Sequence, residues 1–578
     1  MLSRYFVFLF LVFSFITRVN SQTFELPNII GFENIENNNG VAVADYDGDN
    51  DLDVFIVANA VENPNNPSSF SRLLRNNNNG SFTDVTNSSG LVNLLTLDDN
   101  IDQSSPNQMQ EGYKYGVSWG DINNDGFPDI LFTHYNKIQL FLNSGNSTFT
   151  DITASSGLPV TDNCSNAGAT WLDYNNDGYI DVYINDWKSC GSNRMYKNNG
   201  NETFTNVTET LGLTEITPRH SFTAIPFDVN SDGWIDIIVT NDFDKENYLY
   251  VNNSGQFFIE DAVSYGLDNS IDDMAIAITD FDLDGDFDFF HGGIDENSLL
   301  ENSGNNNFTE TSATYNITEA GWTWGVKFSD FDLDGDEDLF ITNGFDFENN
   351  GPQQNIYYIN LHSQGVPLFE ESPQYFLGPQ TISVEALDFD YDNDGDIDLI
   401  VTNSDGPITF YENKLINFDD DQTTLNWFKI NLEGTISNRD AIGTTISLTT
   451  LDGTKKRYHS GVGFFGQSLK GLHFGLKEAT QITELKITWP SGIVDTYSNL
   501  NTNITIKAIE GQGFEILDIQ PSQKVYGCID PSSCSYNQEA TIDDGSCTYL
   551  ETQDITGNTS SSFLRIETYN YNYGIDST

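Results

Sequence analysis

Basic residues are scarce in this chain. Only 24 Lys and Arg stand against 86 Asp and Glu over 578 residues, a formal net charge of −62. No basic stripe is available to neutralise phosphates, so nucleic acid is excluded as a partner. The six His show no metal-ligand spacing, and His291 and His473 read as structural. Five Cys are too few for a disulfide-dense scaffold. Long apolar runs are also missing. The stretch Tyr5 to Ile16 is short for a span of about 20 residues, and nothing later could cross a bilayer. What is present is not the composition of a disordered acidic tail, because 13% of residues are aromatic. A folded protein with this surplus of carboxylate needs cations among its carboxylates. The length calls for two or more domains.

Arg4, the apolar stretch and Val19-Asn20-Ser21 read as a signal peptide over residues 1–21, so the chain is expected to be secreted or at a cell surface. Export permits disulfides. Cys164 and Cys190 flank one repeat and are expected to pair. Among Cys528, Cys534 and Cys547 the spacing leaves the partners open, with Cys528 to Cys547 the first pairing expected.

Internal repetition names the architecture. Seven segments follow D-x-[DN]-x-D-[GN]-x-x-D and begin at Asp45, Asp121, Asp173, Asp228, Asp280, Asp330 and Asp390. Apolar alternation precedes each, as in Val41-Ala42-Val43-Ala44, and β-branched residues follow, as in Ile237-Ile238-Val239. Both are strand signals. A third element ends in Asn-rich turns at Asn76 and Asn143. A fourth begins at Phe82, Phe149 and Phe204, with looser copies expected at Phe257, Phe308 and Phe369. Four strands per unit make a propeller blade. The seventh unit lacks its fourth strand after Asn413, and Phe24-Glu25-Leu26-Pro27 is expected to supply it, closing the ring and removing an open edge. The fold class is therefore all-β, a seven-bladed propeller over residues 22–418. A small β-sandwich-like domain follows at 426–511, then a Cys-flanked repeat at 522–550 and a polar tail at 551–578.

The acidic segments carry the chemistry. Alternate side chains of a tight loop point inward, so positions one, three, five and nine converge, while position seven offers its carbonyl. Hard oxygen ligands in that number suit Ca²⁺. The expected ligands are Asp45, Asp47, Asp49, Asp51 and Asp53 in loop one, and Asp121, Asn123, Asp125, Phe127 and Asp129 in loop two. Loop three has Asp173, Asn175, Asp177, Tyr179 and Asp181, and loop four Asp228, Asn230, Asp232, Trp234 and Asp236. Loop five has Asp280, Asp282, Asp284, Asp286 and Asp288, and loop six Asp330, Asp332, Asp334, Asp336 and Asp338. Asp390, Asp392, Asp394, Asp396 and Asp398 complete loop seven. An EF-hand is excluded, since it needs Glu at position twelve between helices; that position here is Ile56, Phe132, Ile184, Val239, His291, Ile341 or Val401. About seven structural Ca²⁺ are expected.

These segments resemble the FG-GAP/VCBS repeats of integrin-α-type propellers. Further on, Asn438-Arg439-Asp440-Ala441-Ile442-Gly443, Gly461-Val462-Gly463-Phe464, His473-Phe474-Gly475-Leu476 and Trp489-Pro490-Ser491-Gly492 resemble an ASPIC/UnbV domain. The combination is similar to the cartilage acidic protein family and its bacterial relatives, which implies an extracellular calcium-binding protein. Two positions depart from that pattern: Gly466 stands where the family has Ser, and Lys477 where it has a second Gly. The segment Gly527 to Cys547 is similar to a short Cys-flanked repeat of proteins secreted by gliding bacteria, which implies a bacterial origin.

Two enzyme-like strings have plainer readings. Gly116-Val117-Ser118-Trp119-Gly120 matches a nucleophile elbow, but Asp121 immediately opens an acidic loop, so Ser118 belongs to a strand. Gly461 to Gly466 matches a dinucleotide fingerprint without the βαβ context that gives it meaning, and reads as a family turn. Trp322-Thr323-Trp324 is expected in the core of blade six. The leading expectation is an adhesion or interaction module, not an enzyme, with an extracellular protein or glycan as partner and the insertion Asn93 to Glu111 as the first loop to test. The alternative is a calcium-dependent carbohydrate-active enzyme of polysaccharide lyase or sugar dehydratase type. It would need basic residues or Tyr beside a calcium loop.

Overall fold

The computed structural model describes residues 24–548 apart from 59–70, 92–113, 163, 188–189, 191, 215–218, 244, 318–320, 347–350, 374–377, 417–424, 520, 523 and 544–545. The segment 1–21, the insertion Asn93–Glu111 and the tail 551–578 lie outside the described residues. Among those described, no helix is long and apolar enough to cross a membrane.

The chain is nearly all β, and its repeats fold as propeller blades. In the first, Asn38–Ala44, Asp53–Ala58, Arg72–Asn76 and Phe82–Asp84 form an antiparallel sheet in chain order. Six more four-stranded units follow from the later acidic segments. The innermost strand is almost wholly buried in six of them, as small and apolar residues demand where sheets meet at an axis, and Ala275–Thr279 of the fifth is partly so. Each innermost strand touches the next, and Ser383–Phe389 returns to Asn38–Ala44. Phe24 pairs with Asn413 just as Phe82 pairs with Asn76, so the N-terminal segment does supply the displaced fourth strand. One fourth strand begins a residue later than its sequence copy. Phe258, not Phe257, opposes Asn252, and Phe258 is 5% exposed against 40% for Phe257. Two adjacent Phe left the register open, and burial of one ring fixed it.

The C-terminal domain has two four-stranded sheets. One contains Trp427–Glu433, Leu472–Gly475, Ile504–Ile509 and Gly513–Leu517; the other Thr445–Thr450, Gly453–Tyr458, Gln481–Thr488 and Val494–Asn501. Phe428, Ile446, Phe474, Leu485, Trp489 and Ile506 fill the space between them.

The segment read as a family turn inserts into the axis of the propeller. Gly466 and Gln467 pair in parallel with Val117 and Ser118, adding a fifth strand to the second blade. Phe464 and Phe465 lie among Tyr115, Phe222 and Trp324, with ring centroids between 5.5 and 5.7 Å for the nearest pairs. The Val117 amide donates to Phe465 O at 3.1 Å and the Thr223 hydroxyl to Phe464 O at 3.0 Å. Gln467 Oε1 accepts the Trp171 amide at 2.7 Å, and the Leu469 amide donates to Val43 O at 2.8 Å. Buried Glu385 faces the tip and accepts the Val41 amide at 3.3 Å. A Cβ on Gly116 would overlap Phe465 O, and one on Gly463 would overlap Glu385 Oε1. Those two glycines are there for close approach. Trp324 therefore grips this plug beside the axis instead of sitting inside blade six alone. Ser118 is buried in Lys114–Gly120 and donates to Ala169 O at 2.6 Å, as a strand residue should.

Cys164 is bonded to Cys190 and Cys528 to Cys547, while Cys534 is free and exposed. The Cys-flanked repeat pairs back onto Asn28–Ile29 through Ile542–Asp543.

Candidate metal centres

Each acidic loop links the first and second strands of its blade, and the same hydrogen bonds shape all seven. The position-five carboxylate accepts the position-seven amide in every loop, at 2.9 to 3.4 Å. In six loops the position-one carboxylate accepts the position-six amide, at 2.7 to 3.2 Å. Position six is left-handed throughout, with φ from 71° at Asn50 to 99° at Gly335. So is position four: Gly48, Asn124, Asn176, Ser231, Leu283, Leu333 and Asn393. Loop one thus exchanges its glycine between the two positions. Leu283 and Leu333 at φ 58° and 59° hold a conformation that bulky side chains avoid.

Carboxylate oxygens converge in four loops. Those of Asp45, Asp47 and Asp53, of Asp280, Asp282 and Asp284, of Asp330, Asp332 and Asp334, and of Asp390, Asp392 and Asp398 lie within 4.8 Å of one another. Ligands about 2.4 Å from one Ca²⁺ are at most about 5 Å apart, so these sets fit that ion. Buried oxygens without a hydrogen-bond donor accompany them: Asp47 Oδ1, Asp280 Oδ2, Asp288 Oδ2 and Asp330 Oδ1. An orphaned buried carboxylate oxygen is costly, and a cation is what would satisfy it. Without one, burial followed by neighbouring carboxylates pushes Asp336 up to about 10. Burial, against the Asn302 amide bond, pushes Asp288 up to about 9.

Loops two, three and four have Asn at position three and fewer charges. In loop two the Asn123 carbonyl oxygen accepts the Asp125 amide at 3.1 Å. Side chains at position seven also make contacts outside their own loop. Asp396 accepts the Ile416 amide at 2.7 Å, Asp336 the Ser363 amide at 2.6 Å, and Phe127 covers Gly145. Asp336 Oδ1 and Asp396 Oδ1 stay buried without a hydrogen-bond donor, beside the position-seven carbonyl.

Position nine has a second task that the motif did not reveal. One oxygen of Asp53, Asp129, Asp181, Asp236, Asp288, Asp338 and Asp398 accepts the amide of the Asn that ends the third strand, at 2.7 to 2.9 Å. The side chains of Asn76, Asn143, Asn198, Asn252, Asn360 and Asn413 then donate to position two of the preceding loop, at 2.8 to 2.9 Å. For Asn76 that acceptor is Tyr391, so blade one is stitched to blade seven. The signal was visible as an Asn recurring at each third-strand end.

The C-terminal domain sits on the loop face. Asp440 accepts the Asp121 amide at 2.8 Å, and Arg439 lies 3.5 Å from Asp121. The Gly475 amide donates to Asp330 at 2.9 Å and the Lys477 amide to Leu333 O at 3.0 Å. His473 Nε2 lies 3.0 Å from Gly395 O and Lys456 donates to Gly285 O, while Lys524 of the Cys-flanked repeat is paired with Asp392 and Glu412. Lys477, at φ 50°, occupies a backbone state that glycine adopts freely, which accounts for the family residue it replaces. His459 and His473 are held neutral: burial pushes them down to about 4 and about 3. Beside the plug, a cavity of about 120 Å³ is lined by Lys327, Glu337, Asp388, Arg457 and Lys470. Its charges are paired, Lys470 with Asp388 at 2.6 Å and Arg457 with Glu337 at 2.9 Å.

Residues 121–184, 173–239, 228–291 and 280–341 match the FG-GAP-like repeat, each from the start of one acidic loop to position twelve of the next. Residues 434–514 match the ASPIC and UnbV domain. No curated protein matches the chain. Among solved structures it is similar to an Agrocybe aegerita lectin that recognises non-reducing terminal N-acetylglucosamine, at 16% identity over 67% of this chain and 93% of that one, with TM-score 0.34. It is also similar to the Bacillus licheniformis rhamnogalacturonan lyase, at 10% identity over 65% and 71%, with TM-score 0.35. A third is the extracellular domain of the hybrid two-component system BT4673 of B. thetaiotaomicron, at 9% identity over 85% and 58%, with TM-score 0.37.

Proposed function

We propose that this chain, an all-β propeller with FG-GAP-like repeats and an ASPIC/UnbV domain, is an extracellular calcium-loaded interaction module. We read its seven sheets as the blades of one ring. The observation that carries the reading is the set of converging carboxylates with buried, donorless oxygens, built by one hydrogen-bond pattern in every blade. Positions one, three, five and nine and the position-seven carbonyl would hold each ion. Bound Ca²⁺ supplies charge neutralisation and rigidity, so its role here is structural.

The basic residues nearest the loops favour interaction over catalysis. A lyase needs a base free to reach an acidic sugar beside an ion. Arg439, Lys456 and Lys524 are instead committed to contacts within the chain, half-exposed Lys197 is paired with Asp177 at 3.0 Å, and the cavity beside the plug has its charges paired. The C-terminal domain covers the loop face, which leaves the opposite face and the blade edges to a partner. That partner is an extracellular protein or glycan. Two disulfides suit an exported chain, cell-surface or secreted and of bacterial type. The test is to screen the intact chain, with calcium and with chelator, against glycan and surface-protein arrays and against acidic polysaccharides. Calcium-dependent retention without turnover is expected. Release of unsaturated oligosaccharides would replace this reading with the lyase.

A further inference from the structure

Three of the four segments by which the C-terminal domain resembles its family reach the propeller. Asn438 to Gly443 brings Arg439 and Asp440 to loop two. Gly461 to Gly466 is the axial plug. His473 to Lys477 reaches loops six and seven. The anchor points are residues expected to face ions: Asp121 and Asp330 are position-one ligands, and Leu333 is the strained position four of loop six. Asp330 gives one oxygen to the Gly475 amide and leaves its other, donorless, to the cluster with Asp332 and Asp334. Ion and domain therefore share one carboxylate.

We propose that the ASPIC/UnbV domain is an intramolecular plug whose surface reads the ion-bound shape of loops two, six and seven, so that docking and ion binding are one coupled equilibrium. The inference rests on the calcium reading of the loops. With loop six empty, the carboxylates of Asp330, Asp332 and Asp334 repel one another within 4.8 Å, and the turn that presents Asp330 Oδ2 and Leu333 O relaxes, as does the less charged turn that presents Asp121 N. Two effects then compete. Extra negative charge attracts Lys429 and Arg439, but these stand 4.0 and 3.5 Å from their carboxylates and Coulomb attraction fixes no register. The bonds of 2.8 to 3.0 Å to Asp121, Asp330 and Leu333 are directional and need the loop geometry. Geometry wins, and loss of ions withdraws the plug from the axis.

Linkage makes the coupling reciprocal. A chain whose plug cannot seat must bind ions more weakly at the three docked loops and normally elsewhere. The variant is Gly463→Val, whose side chain would overlap Glu385, with Gln467→Ala as a milder second. Calcium uptake of each full-length chain is followed by calorimetry and native mass spectrometry. Hydrogen exchange is read at the Val117 and Trp171 amides, which donate to the plug, and at the Leu469 amide, which donates from it to Val43 O. The Ile446 and Leu485 amides, inside the C-terminal domain, report whether it stays folded. In the wild type, plug amides should lose protection on chelation while the internal ones keep theirs. Both variants should show a subset of sites weakened roughly 5- to 150-fold. Variants that titrate as the wild type, or bind more tightly because domain cations compete with the ions, overturn the coupling. Normal uptake with plug amides still protected after chelation overturns it and leaves the ion reading standing. No uptake in the wild type removes both.

Discussion

Asp334 receives the amide of Asp336 and the hydroxyl of Ser363, and lies in a cluster with Asp330 and Asp332. Asp334→Ala should therefore remove one calcium ion and leave the others, read by native mass spectrometry. An unchanged count would remove loop six from the set of sites. Asn198 belongs to a different network: it donates to Ile122 O and Ile180 O and accepts the Gly200 amide. Asn198→Ala strands buried carbonyls and should cost about 1–3 kcal/mol without changing the ion count. Loss of an ion in that variant would show that clasp and site are not separable. The ligand positions were legible because their spacing is local. The clasp was half legible, as a recurrent Asn, but its acceptor lies in the neighbouring blade, 76 residues away for Asn198 and Ile122. The left-handed position four was hidden by its varied occupants, Gly, Asn, Ser and Leu.

Among the elements, the borrowed strand makes the sharpest claim. Phe24 pairs with Asn413 and its ring meets Phe331 at 5.9 Å, while Ile29 is buried between blade one and the Cys-flanked repeat. Deleting residues 23–30 removes both side chains, uncovers the apolar surface they pack against, and should cost about 3 kcal/mol or more. It should also loosen the repeat that pairs with Asn28–Ile29. A melting temperature that stays put would mean that the ring closes without this strand. The Cys164–Cys190 bond spans 26 residues, and closing a loop of that order stabilises by about 3 kcal/mol. Mass spectrometry of the non-reduced protein should find the pair joined, and two free thiols would contradict it. Strand four was readable from its leading Phe except where two Phe adjoin, at Phe257 and Phe258. The plug was not readable at all. Its partners Val43, Val117, Trp171, Thr223 and Glu385 are spread over five blades, and no periodicity links them to residues 460–470.

At the scale of the whole molecule, 29 of the 86 Asp and Glu behind the formal charge of −62 occupy the seven loops. The C-terminal domain meets the loop face with a handful of cations and leaves most of the negative charge to be offset by ions. Extracellular sites bind Ca²⁺ with dissociation constants of roughly 0.1–1 mM, so about 10 mM free calcium contributes about 1.4 to 2.7 kcal/mol per site. Over seven sites this rivals the ~5–15 kcal/mol of a typical domain, as an upper value because the blades are coupled through their Asn clasps. The most direct measurement is the thermal unfolding of the intact chain with saturating calcium and with excess chelator, alongside an ion count by native mass spectrometry. About seven bound Ca²⁺ and a melting temperature that falls steeply on chelation are the results the proposed calcium-loaded state predicts. A chain that binds no calcium, or melts at the same temperature in chelator, contradicts the account at its centre.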